Sequence, residues 1–203
     1  MTPPIVAYQG VAGAFSELAI RAIWGDAAVP LPCAAFGDVT TAVLGGRAQI
    51  GILPVSNTIA GPVASSVEAI AASGLHVVGE HELRIELCLL ALRGATAESL
   101  RMVESHPVAL RQCRQFLAAH PALVVREAFD TAGAARDVAA AGDATRAAIA
   151  SASAARAYGL AILQHAIQDA LDNTTRFALV ALEPAPVRPS ALDHAMQSVN
   201  LGE

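Results

Sequence analysis

Short apolar runs alternate with alanine-rich stretches of helical spacing along this chain, and glycines mark many of the hand-overs. Residues 5–8 read as a first strand. The turn Gln9-Gly10-Val11-Ala12-Gly13 follows, and residues 14–24 predict a helix with Gly25 as its stop. The pattern repeats as strand 31–36, helix 39–44 before Gly45-Gly46, strand 49–55, and helix 63–72 before Gly74. Such a βαβαβα series argues for a mainly parallel sheet with helices on its faces. Residues 75–78 and 85–92 are extended, and nothing between them looks helical. A second series follows: strand 101–104, a helix from Pro107 to about Ala119, strand 123–128, a helix from Thr131 to Ala141 ended by Gly142, and strand 147–150 leading through Ser151 into a helix stopped by Gly159. A last strand, 177–182, comes after both series and is expected to return to the first lobe. The expectation is α/β with two small lobes: residues 1–80 plus 175–203 form a discontinuous first lobe, and 81–174 form the second. From residue 183 on, Pro184, Pro186 and Pro189 suggest a tail with room for a short helix.

One polar stretch interrupts the apolar pattern. Asp169-Ala170-Leu171-Asp172-Asn173-Thr174-Thr175-Arg176-Phe177 lies between the apolar runs 158–167 and 178–182. An amide, two hydroxyls and a guanidinium between core segments need partners. Either they cap a turn or they face a polar ligand. In the second series, Ser105-His106-Pro107, Asp130-Thr131 and Ser151 stand where strands hand over to helices. Each reads as an ordinary N-cap. Together they also gather hydroxyls and helix N-terminal amides on one sheet edge, where open α/β sheets bind ligands and anions are favoured.

Composition narrows the classes. Of 203 residues, 54% are hydrophobic but only 4% aromatic, alanine inflating the first figure. No run approaches the roughly 18 apolar residues of a membrane span, and no secretory leader pattern opens the chain. A soluble, cytoplasmic protein without membrane contact is expected. A net charge of -5 with no Lys/Arg cluster argues against nucleic acid, whose phosphates want a basic face. Cys33, Cys88 and Cys113 are far apart and read as buried thiols; the six histidines show no zinc spacing. No catalytic metal is expected, and a small molecule is the better partner.

At this point several blocks resemble the prephenate dehydratases. Asn173-Thr174-Thr175-Arg176-Phe177, preceded by Ile167-Gln168-Asp169, is similar to that family's N-x-T-R-F signature. Around it stand Gln9-Gly10 with Gly13-Ala14-Phe15-Ser16, Pro54-Val55-Ser56-Asn57-Thr58 with Gly61, Gly79-Glu80, Ser105-His106-Pro107 with Gln112-Cys113, and Ala148-Ile149-Ala150-Ser151 leading to Tyr158-Gly159-Leu160. The blocks keep the family's order over roughly residues 5 to 181.

The resemblance implies two lobes like type II periplasmic binding proteins, mixed mainly parallel sheets and an active site in the interlobe cleft. It implies a carbon–oxygen lyase without cofactor that converts prephenate, a dicarboxylate, to phenylpyruvate with loss of carbon dioxide and water in L-phenylalanine biosynthesis. Thr175 matches the family's catalytic threonine and would donate to the leaving oxygen, with Asn57 and Ser56 beside it as catalytic candidates. Gln112, Ser105, Thr131 and Ser151 would hold the substrate. Arg176 faces a carboxylate or pairs with Asp169 or Asp172. Gln9 and Ser16 lie at the cleft edge or shape the first turn; Asn173 touches ligand or caps.

Two departures stand out. Where the family reads Pro-x-Glu-Asn-Ser, Ser56 replaces the glutamate, and a positioned acid is worth roughly 100- to 10,000-fold. Val108 stands where a glutamine often follows Ser-His-Pro. Glu80, Glu86 and Asp172 are the available substitutes for the lost carboxyl. The motifs of a C-terminal phenylalanine-binding ACT domain do not follow the last strand, so none is expected. A homodimer or larger assembly fits the weakly charged exterior. The alternatives are an arogenate dehydratase or a non-aromatising prephenate decarboxylase on the same scaffold, or a small-anion-binding module without catalysis. The decarboxylases lack T-R-F, and retained Thr175 speaks against them.

Overall fold

The computed structural model describes residues 2–184. The tail and short helix expected from 183 on fall almost wholly outside them.

Six strands form the first sheet. β1 (Ile5–Gln9) lies between β2 (Val29–Cys33) and β3 (Ile50–Asn57), both parallel to it. A two-residue β4 (Gly61–Pro62) hairpins back on β3, and β5 (His76–Arg84) is the far edge. The chain's last described strand, β11 (Thr174–Ala181), fills the place between β3 and β5, antiparallel to both. β11 starts three residues earlier than its apolar run at 177, because the polar residues pair as readily as the apolar ones.

Helices cover both faces. α1 (Phe15–Trp24) packs on β1, β3 and β5 through a stripe of Ala19, Ile20, Ile23 and Trp24 at helical spacing. Gly25 ends it at φ 57, its N–H bonded to the Arg21 carbonyl. α2 (Phe36–Leu44) and α3 (Ala64–Ser73) lie together, α2 contributing Val39, Ala42 and Val43 to a cluster on the opposite face with Ala7, Leu53 and Val180.

The second sheet runs β10, β6, β9, β7, β8. β6 (Cys88–Ala91), β7 (Met102–Ser105), β8 (Val124–Glu127) and β9 (Arg146–Ala150) account for four strands, with β7 parallel to β8 and β9 and β6 antiparallel to β9. β10 (Ala161–Gln164) pairs antiparallel at the β6 edge; within the apolar run 158–167 it carried no turn signal of its own. The helix from Pro107 is two: α4 (Pro107–Gln112) and α5 (Arg114–Ala119), broken at Cys113. α6 (Thr131–Ala141) and α7 (Ala152–Tyr158) complete the set. Glu104, buried on β7, is neutralised by Arg146 at 2.6 Å with Arg126 at 3.9 Å.

The largest apolar cluster belongs to neither sheet alone. Val6, Tyr8, Ile52, Phe177 and Leu179 of the first meet Cys88, Ala148 and Ala150 of the second, with α1, α6 and α7 contributing. Small residues dominate the second sheet's share, so backbones approach closely: a Cβ on Gly13 would sit 2.5 Å from the Ala154 Cα. Among the described residues, no helix is long and apolar enough to cross a membrane.

Candidate active site

Strand alternation would put Ser56 on the same face as Ile50, Ile52 and Pro54, toward the shared cluster, and Asn57 on the other. The structure reverses this. Val55 is a one-residue bulge: Phe177 pairs with Pro54, but Arg176 pairs with Ser56 and Thr175 with Asn57. Opposed residues share a face, so the extra residue re-aims the strand end and sets Asn57 beside Thr175. Both then share the face of Phe177 and Leu179, which pack into the cluster joining the two sheets. The bulge also explains how Pro54 sits within a strand, since it lies beyond the last β1 pairing at Ile52 and lacks an N–H to offer.

Around this pair the sequence's scattered amides close into a ring. Asn57 Nδ2 donates to Asn173 Oδ1 at 2.7 Å, Asn173 Nδ2 to Gln112 Oε1 at 3.1 Å, and Gln112 Nε2 back to Asn57 Oδ1 at 3.2 Å. Asn57 Nδ2 also lies 3.0 Å from Thr175 Oγ1 and 3.1 Å from the Thr174 carbonyl. Asn173 and Gln112 are buried, while Asn57 and Thr175 are half-buried. Thr175 Oγ1 thus accepts from Asn57, and its own proton is committed to no acceptor among the described residues.

Gln112 ends α4 in the second sheet's layer, and the chain between the sheets is stitched around it. Asp169 accepts from the Arg114 and Gln115 amides and caps α5 from a distance, which is what lets the helix break at Cys113. The Ile85 amide donates to the Asn173 carbonyl at 2.8 Å, and Thr58 exchanges bonds with Asp172 and Thr174. The 169–177 cluster is therefore cap, amide ring and half-buried hydroxyl in succession. Phe177 is core, 1% exposed.

The other candidates divide. Ser151 is spent: its hydroxyl donates to the Gly13 carbonyl at 2.7 Å and accepts from the Ala154 amide at 3.0 Å, capping α7. Ser105 is fully buried and donates to the Ile149 carbonyl at 2.6 Å; the cap of α4 is His106, whose Nδ1 accepts from the Val108 amide. Burial, with Arg111 nearby, holds the His106 ring below its ordinary 6.5. Thr131 is the first residue of α6, capped by Asp130. Ser16 is buried in α1. Ser56 and Arg176 turn away from Thr175 together, and Arg176 pairs with Glu80 at 3.7 Å, both exposed, rather than with Asp169 or Asp172. Of the substitutes for a carboxyl at 56, Glu80 is engaged with Arg176 and Glu86 contacts His165 and Cys88. Burial, with Asp169 nearby, pushes the Cys113 thiol up to about 12, which leaves it no nucleophile.

Gln9 borders a cavity of about 270 Å³ between the ends of β1 and β2 and the start of α6, lined also by Cys33, Phe129, Asp130, Arg136 and Asp137. It includes neither Thr175 nor Asn57. Its one cation, Arg136, is already paired with Asp137 at 2.9 Å, and two carboxylates on the wall oppose a dianion. The amide ring, with an uncommitted hydroxyl at its edge, is the better-equipped centre.

The family model described as "Prephenate dehydratase" matches residues 6–185. The chain belongs to that family. It is 40% identical over 188 residues to a bifunctional N-acyl-homoserine lactone acylase/prephenate dehydratase of Komagataeibacter europaeus, covering 91% of this chain and 65% of that one. It is 43% identical over 180 residues to the chloroplastic arogenate dehydratase/prephenate dehydratase 6 of Arabidopsis thaliana, covering 88% and 43%. The fold matches prephenate dehydratase from Arthrobacter aurescens, solved in complex with L-Phe, at a TM-score of 0.83 and 29% identity over 91% of this chain and 62% of that one. The chain thus spans from about two fifths to two thirds of these relatives' lengths. The α/β fold of two mixed sheets is the family's own.

Proposed function

We propose that this chain is a dehydratase that converts prephenate to phenylpyruvate, releasing carbon dioxide and water, as a step toward L-phenylalanine. The observation that carries the reading is the Thr175 hydroxyl, held by Asn57 with its proton uncommitted. Gln112 donates to Asn57 and Asn57 donates to Thr175, so the bonds run in one direction and each strengthens the next. A hydroxyl polarised this way is a good oriented donor although a weak free acid. It would bond the ring hydroxyl of the substrate as that C–O bond breaks, while the electrons of the breaking C–CO₂ bond aromatise the ring. The departing oxygen leaves as water with a proton ultimately from solvent.

In this reading the two sheets are the two lobes, and the passages around Arg84 and Asn173 are the crossings between them. The amide ring joins the lobes and positions the donor; it makes a carboxyl at position 56 unnecessary, because the bulge turns that position away from Thr175. Arogenate, with an amino group for the side-chain keto oxygen, is a second substrate on the strength of the Arabidopsis relative's double name. Purified protein offered prephenate and arogenate separately decides among the readings. Phenylpyruvate from prephenate supports the proposal, and phenylalanine from arogenate adds the second substrate. A non-aromatic product with carbon dioxide release, or binding without turnover, would refute it.

A further inference from the structure

Away from the amide ring, two side chains close in sequence, Glu86 and Cys88, converge with a distant third, His165. Glu86 precedes β6, Cys88 opens it, and His165 follows β10. The Cys88 sulfur lies 3.6 Å from Glu86 Oε1 and 3.6 Å from His165 Nδ1, and the latter two atoms are 3.1 Å apart. The three atoms form a nearly closed triangle.

The chemistry of that triangle is a choice between relay and chelation. A nucleophile–base–acid relay runs through both ring nitrogens of histidine, one toward the nucleophile and one toward the carboxylate. Here thiol and carboxylate meet the same nitrogen, so no relay is possible. A metal site is the opposite case, since its ligand atoms must point at one shared spot. Zinc bonds of about 2.3 Å to sulfur and about 2.0–2.2 Å to nitrogen and oxygen, set tetrahedrally, hold ligand atoms about 3.3–3.6 Å apart. The observed edges of 3.6, 3.6 and 3.1 Å lie close to that frame.

Two further features suit it. Ala166, directly after His165, sits at φ 50, the one non-glycine residue in the left-handed region among those described. Alanine rarely adopts that conformation, so the backbone directly after His165 is held in an uncommon geometry beside the cluster; burial pushes the Cys88 thiol up to about 11, with the Ala166 backbone opposing the rise. Cys88 itself is buried, whereas the side chains of His165 and Glu86 are 62% and 52% exposed, so the fourth position of a tetrahedron opens toward solvent.

We infer that Glu86, Cys88 and His165 form a binding site for a borderline divalent cation of the zinc class, with water as the fourth ligand. Binding would displace the thiol proton to solvent and leave the sulfur as thiolate, the His165 ring neutral and the carboxylate ionised. The ion would pin the start of β6 to the segment after β10, where Ile167 donates to the Leu87 carbonyl and Leu87 to Gln168 Oε1. That segment leads to Asn173 and Thr175. The role is a clamp on the strand crossings, not a part in the reaction.

The test is a titration of metal-free, full-length protein with Co²⁺, followed by displacement with Zn²⁺. One Co²⁺ per chain is expected, with a near-ultraviolet thiolate-to-cobalt absorption band. Zn²⁺ should raise the thermal midpoint. Cys88→Ser should abolish the band while Cys33→Ser and Cys113→Ser keep it. His165→Gln and Glu86→Gln change exposed side chains, so the fold should persist by circular dichroism. Each should weaken Zn²⁺ binding by at least about 10- to 100-fold, the loss typical of even an indirect partner. If Cys88→Ser fails to fold, these two variants decide. Absence of the band, a band that survives Cys88→Ser, or an affinity unchanged in both exposed variants would overturn the site and leave an ordinary Glu–His pair over a buried thiol.

Discussion

Two joints connect the sheets, and they use similar groups to opposite ends. At one, Ser151 donates to the Gly13 carbonyl and accepts from the Ala154 amide, so the hydroxyl has nothing left to give. At the other, Asn57, Gln112 and Asn173 satisfy one another in a ring, and Thr175 at its edge keeps a proton free among the described residues. Both joints are polar links across the same apolar cluster. What separates structure from chemistry is whether the hydrogen bonds are spent. A saturated hydroxyl holds two segments together; in the proposed reading, the unsaturated one held in place by its neighbour is the proton donor.

The contrast can be broken most directly at Thr175. Thr175→Ala should lower kcat by about 100- to 10,000-fold, the range for a positioned proton donor, with the thermal midpoint near that of the parent, and Thr175→Ser should recover most of the rate. If Thr175→Ala unfolds the protein instead, the second joint is structural too. The next largest effect belongs to the first joint. Gly13 holds φ 84, and a methyl there would meet the Ala154 backbone. Gly13→Ala should cost roughly 2–6 kcal/mol in denaturant unfolding, since left-handed strain and overpacking each contribute about 1–3. Ser151→Ala should cost roughly 1–3 kcal/mol from the lost cap and the orphaned Gly13 carbonyl, while kcat per folded molecule stays near the parent's. A loss of turnover comparable to that of Thr175→Ala would erase the distinction.

Acid should tell the joints apart more gently. His106 caps the helix that ends in Gln112, and it does so with a neutral ring whose pKa burial holds below 6.5. The unfolded chain then takes up the proton first, so stability is present above about 6.5 and is lost as pH falls through that value toward the folded pKa. Denaturant midpoints measured from pH 8 to 5 should fall over that window, and His106→Asn, which can cap without titrating, should flatten the fall. The smallest effect is expected at Arg176. Its pair with Glu80 is exposed and long, so Arg176→Ala should change stability by less than about 1 kcal/mol and leave KM nearly unchanged. A large rise in KM would mean that the guanidinium reaches the substrate after all.

Much of the architecture could be read from residue order. Gly25, Gly74, Gly142 and Gly159 stop helices where glycine's conformational freedom predicted they would. Asp130-Thr131 and Ser151 start them, because short polar side chains satisfy orphan amides within a few residues. β10 was missed because four residues of an apolar run carry no period of their own, and the Cys113 break was missed because the cap of the following helix, Asp169, lies 55 residues beyond Arg114 in the chain.

The site divides along the same line. Local signals, backed by family resemblance, put Thr175, Asn57 and Ser56 forward as catalytic and Gln112 among the substrate-holding residues. They could not show that Asn173 completes the ring, since the ring closes over separations of 116, 61 and 55 residues. Nor could they choose between Ser56 and Asn57. Sequence determines alternation, and alternation alone selects Ser56; one bulged residue, present only because β11 pairs with β3 in that register, turns Asn57 to Thr175 instead. Propensities, caps and stops act over a few residues and are written in their order. Which hydroxyl keeps a free proton depends on partners that only the folded chain brings together.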